Sequence, residues 1–293
     1  MTTDLSLAGT YPAIVTPFHE DGSIDFEGVR EEVRRLEAAG VDGIVACGST
    51  GESSTLSHDE HIEVIDAVVD EADTPVIGGT GSNATREALE LSQRAADAGV
   101  DALLLVSSYY NLPEPAGIEH FYRTIADEVD LPQIIYNVPG RTGCNIPVET
   151  TVSLASHENV AGYKAASGDV GQVSEVAEKT REEDFTVLSG DDPLTLPIAS
   201  VGGQGVISVA ANVVPEQVCA LVDAALDEDY ASARELHHEL GPLFRGLFVE
   251  TNPIPVKEAI EIQGVREATL RPPLTKLSAE HRSELEAILA DLE

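Results

Sequence analysis

Residues 40–107 read GVDGIVACGSTGESSTLSHDEHIEVIDAVVDEADTPVIGGTGSNATREALELSQRAADAGVDALLLVS. Short apolar runs at 43–49, 75–80 and 102–107 are separated here by two longer amphipathic stretches, HIEVIDAVVDEA and REALELSQRAADAG. Runs this short, flanked by glycine and polar residues, predict buried strands. The longer stretches, with apolar residues three and four apart, predict helices. Gly40 and Gly99 each follow an alanine and precede Val-Asp, and both suit a helix C-cap. Repetition of strand and helix in this order implies parallel strands joined by right-handed crossovers.

The same alternation extends in both directions. Further apolar runs at 13–18, 133–138, 160–165, 185–189 and 205–210 bring the count to eight. A doubly wound open sheet also fits alternation, but eight strands at a spacing of about 30 residues favour a closed (β/α)8 TIM barrel. From Pro215 onward no strand pattern remains. Helical stretches follow, with breaks expected at Gly241-Pro242, Asn252-Pro253-Ile254-Pro255 and Arg271-Pro272-Pro273. The expected organisation is a barrel carrying the active site over residues 1–225 and a small helical C-terminal region over 226–293.

Composition excludes several classes of function. The 293 residues hold 52 Asp+Glu against 17 Lys+Arg, a formal charge of −35, so phosphate-based recognition of DNA, RNA or anionic lipid is not expected. An apolar content of 42% is enough for a core and excludes a disordered acidic chain. No run approaches the roughly 20 apolar residues of a membrane span, and no signal peptide is evident. Cys47, Cys144 and Cys219 are odd in number, far apart and set in apolar sequence, as expected of buried thiols in a cytoplasmic protein. Acidic residues are spread through nearly every helical stretch without forming blocks, which reads as halophilic adaptation to molar salt.

In such barrels the chemistry gathers where strands end, at the C-terminal face. Lys164 lies near the end of the sixth run, whereas Lys179 ends a helix, Lys257 follows a proline break and Lys276 lies in the tail. Burial there disfavours the ammonium and makes a lysine nucleophilic toward carbonyls. A lysine snorkelling to the rim or pairing with Asp191 also fits that position, which by itself decides neither. Tyr136, at the end of the neighbouring fifth run, supplies a hydroxyl able to shuttle protons, or an ordinary packed tyrosine. Ser49-Thr50 and Tyr109-Tyr110 either extend a relay or are turn and rim residues.

Three apparent motifs carry no chemistry. Gly79-Thr80-Gly81-Ser82-Asn83-Ala84 fits a dinucleotide fingerprint, but the acid at about the required distance, Asp101, precedes its strand. His58-Asp59-Glu60-His61 departs from metal-ligand spacing and is explained as a helix start after Ser57. Cys47-Gly48-Ser49-Thr50-Gly51 is not a hydrolase nucleophile elbow. Neither a cofactor nor a metal is expected.

Taken together, GSTGESSTL (48–56), SSYYNLP (107–113), YNVPGRTGCN (136–145), YKAASG (163–168), LSGDD (188–192), GGQGVISVAANV (202–213) and NPIPVK (252–257) resemble the dihydrodipicolinate synthase/N-acetylneuraminate lyase family. The resemblance runs in order through essentially the whole chain, and Arg141 places it on the synthase side of the family. It implies a class I lyase in which Lys164 forms a Schiff base with pyruvate. The derived enamine then attacks L-aspartate 4-semialdehyde to give 4-hydroxy-tetrahydrodipicolinate, in lysine and diaminopimelate biosynthesis. Implied roles are acid/base for Tyr136, with a relay through Thr50 and through Tyr110 of a neighbouring subunit, and semialdehyde carboxylate binding for Arg141. Thr50, Ser49 and the backbone of Ile207 would contact pyruvate, with Gly190 as a weaker match to a substrate-site glycine. A homotetramer built as a dimer of dimers is implied. So is L-lysine as an effector at Ser53, Ser54, His58, His61, Asn83, Glu87 and Tyr109, where helix-start and interface packing is the competing reading. Ala165 stands where the family commonly has glutamate, and Ser49 where synthases often have threonine. The alternative activity is a 2-keto-3-deoxy sugar-acid aldolase using the same lysine.

Overall fold

The computed structural model describes residues 5–292. Eight strands follow in order: β1 (Gly9–Pro12), β2 (Ile44–Ala46), β3 (Val76–Gly79), β4 (Ala102–Val106), β5 (Gln133–Asn137), β6 (Val160–Ala165), β7 (Thr186–Ser189) and β8 (Gly205–Ser208). All neighbours are parallel, in the order β1-β8-β7-β6-β5-β4-β3-β2, and a bridge between Ala13 and Val45 joins the last pair to complete the barrel. The helices between strands are α1 (Phe26–Ala38), α2 (His58–Glu71), α3 (Thr85–Ala98), α4 (Pro115–Glu128), α5 (Pro139–Thr142), α6 (Val148–Ala155), α7 (Val170–Thr180) and α8 (Thr195–Ala199). After β8 come α9 (Pro215–Leu226), α10 (Tyr230–Gly246), α11 (Ile254–Ile262) and α12 (Ala279–Ala290). The fold is a (β/α)8 TIM barrel with C-terminal helices, as the alternation predicted.

Local chemistry starts the helices where expected. Asp25 caps α1 by accepting from the Gly28 amide, and Ser57 and Glu60 form a reciprocal capping box on α2. Gly99 closes α3 with a φ of 96°, a left-handed conformation in which a Cβ is strained.

Alternation along the strands sorts side chains into two layers. Tyr11, Val45, Ile77, Leu104, Ile134, Tyr136, Leu188 and Ile207 fill the barrel interior. Residues of opposite parity, such as Ile44, Leu103, Leu105, Tyr163 and Ala165, pack outward against helix residues including Val33, Leu36, Ile65 and Tyr122. A further apolar cluster joins Val206 and Val209 to Leu240, Leu243, Phe244, Val256 and Ile260, so α10 and α11 are packed onto the end of the barrel around β8. Among the described residues, no helix is long and apolar enough to cross a membrane.

Two expectations need correction. The first strand is Gly9–Pro12 and not 13–18. Beyond Ile14, whose amide still donates to Val45 O, the chain leaves the ladder: the Val15 amide donates to the Asn212 side chain, the Thr16 hydroxyl donates to Gly51 O, and Pro17 has no amide to offer. Nor does Gly241-Pro242 end a helix, since α10 runs through it. Burial of Leu240, Leu243 and Phe244 in one apolar cluster holds the helix together where proline removes an internal hydrogen bond.

Candidate active site

The site starts from strand register. Tyr136 on β5 pairs with Lys164 on β6, so the two side chains stand together at the C-terminal end of the barrel. The Lys164 Nζ lies 4.2 Å from the centre of the Tyr136 ring, within cation–π range. Across the barrel wall, a Cβ built on Gly190 would come within 3.0 Å of Lys164 Cγ and Cε, so a side chain at 190 would crowd the lysine stem.

Burial sets the acidity of both groups. Lys164 is only 5% exposed, and desolvation lowers its pKa from 10.5 to about 8. The charges of Asp192 and Asp191 oppose that shift, and Arg141 reinforces it. Desolvation raises the Tyr136 phenol to about 12, opposed by the Arg141 charge and by the nearby Ser49 hydroxyl. The result is a lysine with an accessible neutral form beside a phenol that keeps its proton. Asp192 does not compete for the lysine as a close partner. Its carboxylate accepts from the Ser208 hydroxyl and from the Val209 and Ala210 amides at 3.1 Å, which anchors the turn after β8.

The loop after β2 supplies the polar wall. Ser49 and Tyr136 line one small cavity, and the Thr50 hydroxyl, outside that lining, accepts a 2.9 Å hydrogen bond from Asn252 Nδ2. Arg141 stands on the short helix α5, exposed, and its Nη2 donates to the Asn252 carbonyl at 2.9 Å. Ile207 is fully buried on β8, in the same interior cluster as Tyr136. The structure therefore brings together Lys164, Tyr136, Ser49, Arg141, Gly190 and Ile207. Tyr110 is different: it is 88% exposed, with a φ of 68°.

A second cavity of about 430 Å³ adjoins this site. Ser53, Ser54, His58, His61, Glu87 and Tyr109 line it, and so do Ser49 and Arg141. Asn83 is not in its lining. The Glu87 carboxylate accepts from the Ser82 hydroxyl and lies 3.0 Å from His58 Nε2. His61 is held neutral, because burial lowers its pKa to about 4, and its Nε2 is bonded to Gly79 O at 2.8 Å. The His58-to-His61 segment is thus accounted for by helix capping and this cavity. Among the described residues, no group of three or more His, Cys, Asp or Glu is placed to hold a metal ion.

Sequence reasoning missed Lys257. Read as a residue after a proline break, it is instead buried and ion-paired with Glu52, and it also donates to Thr16 O at 2.7 Å and Thr269 O at 2.8 Å. Desolvation lowers its pKa to about 8 as well, but its three bonds leave no lone pair facing a substrate. Asn252 was quoted within a motif without a role, although it links Thr50 to Arg141. The one signal available was that a lysine and an asparagine flank the apolar segment Pro253-Ile254-Pro255-Val256.

The dihydrodipicolinate synthetase family model matches residues 6–292. The 4-hydroxy-tetrahydrodipicolinate synthase of Natronomonas pharaonis is 64% identical over all of both chains. Among solved structures, the dihydrodipicolinate synthase of Acinetobacter baumannii complexed with pyruvate aligns with a TM-score of 0.96 at 40% identity, covering 98% of this chain and 99% of that one. The DHDPS of Cyanidioschyzon merolae with lysine bound aligns with a TM-score of 0.93 at 36% identity, covering 97% and 98%.

Proposed function

The chain belongs to the dihydrodipicolinate synthetase family, and we propose that Lys164 is the residue on which its reaction proceeds. The enzyme is a lyase of lysine biosynthesis that condenses pyruvate with L-aspartate 4-semialdehyde. The observation carrying the assignment is the buried, inward-facing pair of Lys164 and Tyr136, in which the amine is shifted toward its neutral form and the phenol retains its proton.

The steps follow from those two states. The Lys164 amine attacks C2 of pyruvate, and the carbonyl oxygen takes up a proton to give a carbinolamine. That oxygen leaves as water after a second protonation, forming the imine. Loss of a proton from C3 gives the enamine, whose C3 bonds to the aldehyde carbon while the aldehyde oxygen becomes a hydroxyl. The substrate's own amine then attacks C2, closes the ring and expels Lys164. Tyr136 moves the protons at the oxygens, passing them through Ser49. Ser49 takes this place ahead of the expected Thr50 because it lines the same small cavity as Tyr136, which Thr50 does not. Arg141 presents a guanidinium to the semialdehyde carboxylate, an attraction that a chain of charge −35 must provide locally. Pyruvate lies between Ser49-Thr50 and the Ile207 backbone. Borohydride added with pyruvate should fix covalent mass on Lys164; label on another lysine, or on none, would sink the assignment.

A homotetramer, built as a dimer of dimers, completes the relay with Tyr110 of a neighbouring subunit. In support, Tyr109, Tyr110 and Leu112 are 40%, 88% and 55% exposed on the single chain, an apolar cluster suited to an interface. L-Lysine binds the cavity of about 430 Å³, its ammonium on Glu87. Because Ser49 and Arg141 line that cavity too, an occupant touches the catalytic wall directly. Asn83 lies outside it and is left without a role in this reading, and neutral His61 serves as wall. Inhibition by millimolar lysine that Glu87→Ala abolishes is the expected result; no inhibition at pyruvate near its KM would reduce the cavity to packing. Three buried free thiols support a cytoplasmic setting.

A further inference from the structure

The turn after β2 is held in a conformation that its own sequence does not favour. Cys47 and Glu52, at its two ends, both have a φ of 53°, a left-handed backbone that non-glycine residues rarely adopt. Hydrogen bonds within the turn are long: Glu52 N to Ser49 O is 3.3 Å and Ser53 N to Gly48 O is 3.4 Å. Backbone strain of this kind persists only where surrounding structure imposes it.

What surrounds the turn is a buried polar hub. The Glu52 side chain is fully buried, and its carboxylate takes the Lys257 ammonium on one oxygen and the Arg271 amide on the other. Lys257 also donates to Thr16 O, and the Thr16 hydroxyl in turn donates to Gly51 O at 2.7 Å. A third bond to Thr269 O attaches the same ammonium to the segment after α11. Phe18 covers this hub, its ring 4.3 Å from Lys257 Nζ and 4.5 Å from the Arg271 guanidinium. One ammonium therefore joins the turn after β2, the segment after β1 and the C-terminal helical region. Ser49 and Thr50 lie in this turn, between Cys47 and Glu52, and Ser49 lines a small cavity with Tyr136.

We propose that the buried pair of Lys257 and Glu52 is a positioning device that holds the strained turn 47–52 and thereby sets the Ser49 hydroxyl against Tyr136. The inference rests on the relay through Ser49 given above. Loss of a buried ion pair's charge on one side strands the other, so the informative change removes both at nearly constant volume, Glu52→Gln with Lys257→Met. A pair that positions Ser49 acts on catalysis through that hydroxyl alone. A pair that only supports the fold acts whether the hydroxyl is present or not.

The experiment is a cycle on the full-length enzyme with two readouts. Hydrogen exchange by mass spectrometry should rise at residues 47–56 in the doubly substituted chain, with exchange elsewhere in the barrel unchanged. Its kcat should fall about tenfold to hundredfold, the loss expected for a catalytic group displaced by about an ångström. In a Ser49→Ala background the same pair of substitutions should add little further loss. Unchanged exchange at 47–56, or a kcat loss of equal size in both backgrounds, overturns the proposal. If Ser49→Ala alone leaves kcat intact, the relay reading fails instead, and the positioning of the turn is judged on exchange. Should the double substitution prevent folding, Glu52→Asp keeps the charge but draws the carboxylate back by one methylene. It enters the same cycle with the same outcomes.

Discussion

The titration of Lys164 gives the sharpest test of the site. An ordinary lysine at 10.5 is neutral in about 0.03% of molecules at pH 7, whereas one at about 8 is neutral in about 10%, a gain of roughly 300-fold in nucleophile. Burial supplies that gain, against the charges of Asp192 and Asp191. The assay is the rate of pyruvate-dependent reductive trapping on Lys164, followed by intact mass from about pH 6 to about pH 10 at constant salt. Trapping should rise with pH and level off above a midpoint near 8; Tyr136, near 12, does not titrate in that window. Asp191→Asn removes a charge that favours the ammonium, so the midpoint should move down and trapping at neutral pH should quicken. A midpoint above about 9.5, or an upward shift in Asp191→Asn, would show that burial does not set the reactivity of this amine.

Tyr136→Phe should lower turnover by about 100-fold or more while leaving the imine with pyruvate trappable, as for a lost general acid; unchanged turnover removes it from the relay. Arg141→Ala should raise the KM for the semialdehyde roughly 10- to 100-fold, the worth of about 1.5–3 kcal/mol in hydrogen bonds to a charged group, with little change for pyruvate. Equal losses on both substrates would make Arg141 a structural residue. The melting temperature should rise between dilute and molar potassium chloride, since the Debye length contracts to ~3 Å at 1 M and screens a net charge of −35. A flat or falling melting temperature would count against adaptation to salt.

The strands, the helices and the barrel were legible in sequence because periodicity is a local property. A run such as ALLLV reports burial on both faces without reference to what lies beyond it. The placement of Lys164 and Tyr136 near the ends of adjacent buried runs was legible for the same reason, though pattern alone did not choose between chemistry and packing for either. Even so, the run 13–18 reads as the first strand, because an apolar run does not reveal where its amides find partners. Only the ladder with β8 does that. The choice between Ser49 and Thr50 was likewise beyond local reading. Both are hydroxyl residues in one turn, and what separates them is that Ser49 lines a cavity with Tyr136 while Thr50 accepts from Asn252, 202 residues away in the chain. The partner of Glu52 lies 205 residues off, at Lys257, which looked ordinary among its neighbours. Sequence determined which apolar runs form the core, since their burial follows from pattern. Tertiary structure decided which charges and hydroxyls meet, because a hydrogen bond depends on distances of a few tenths of an ångström between loops that share no sequence neighbourhood.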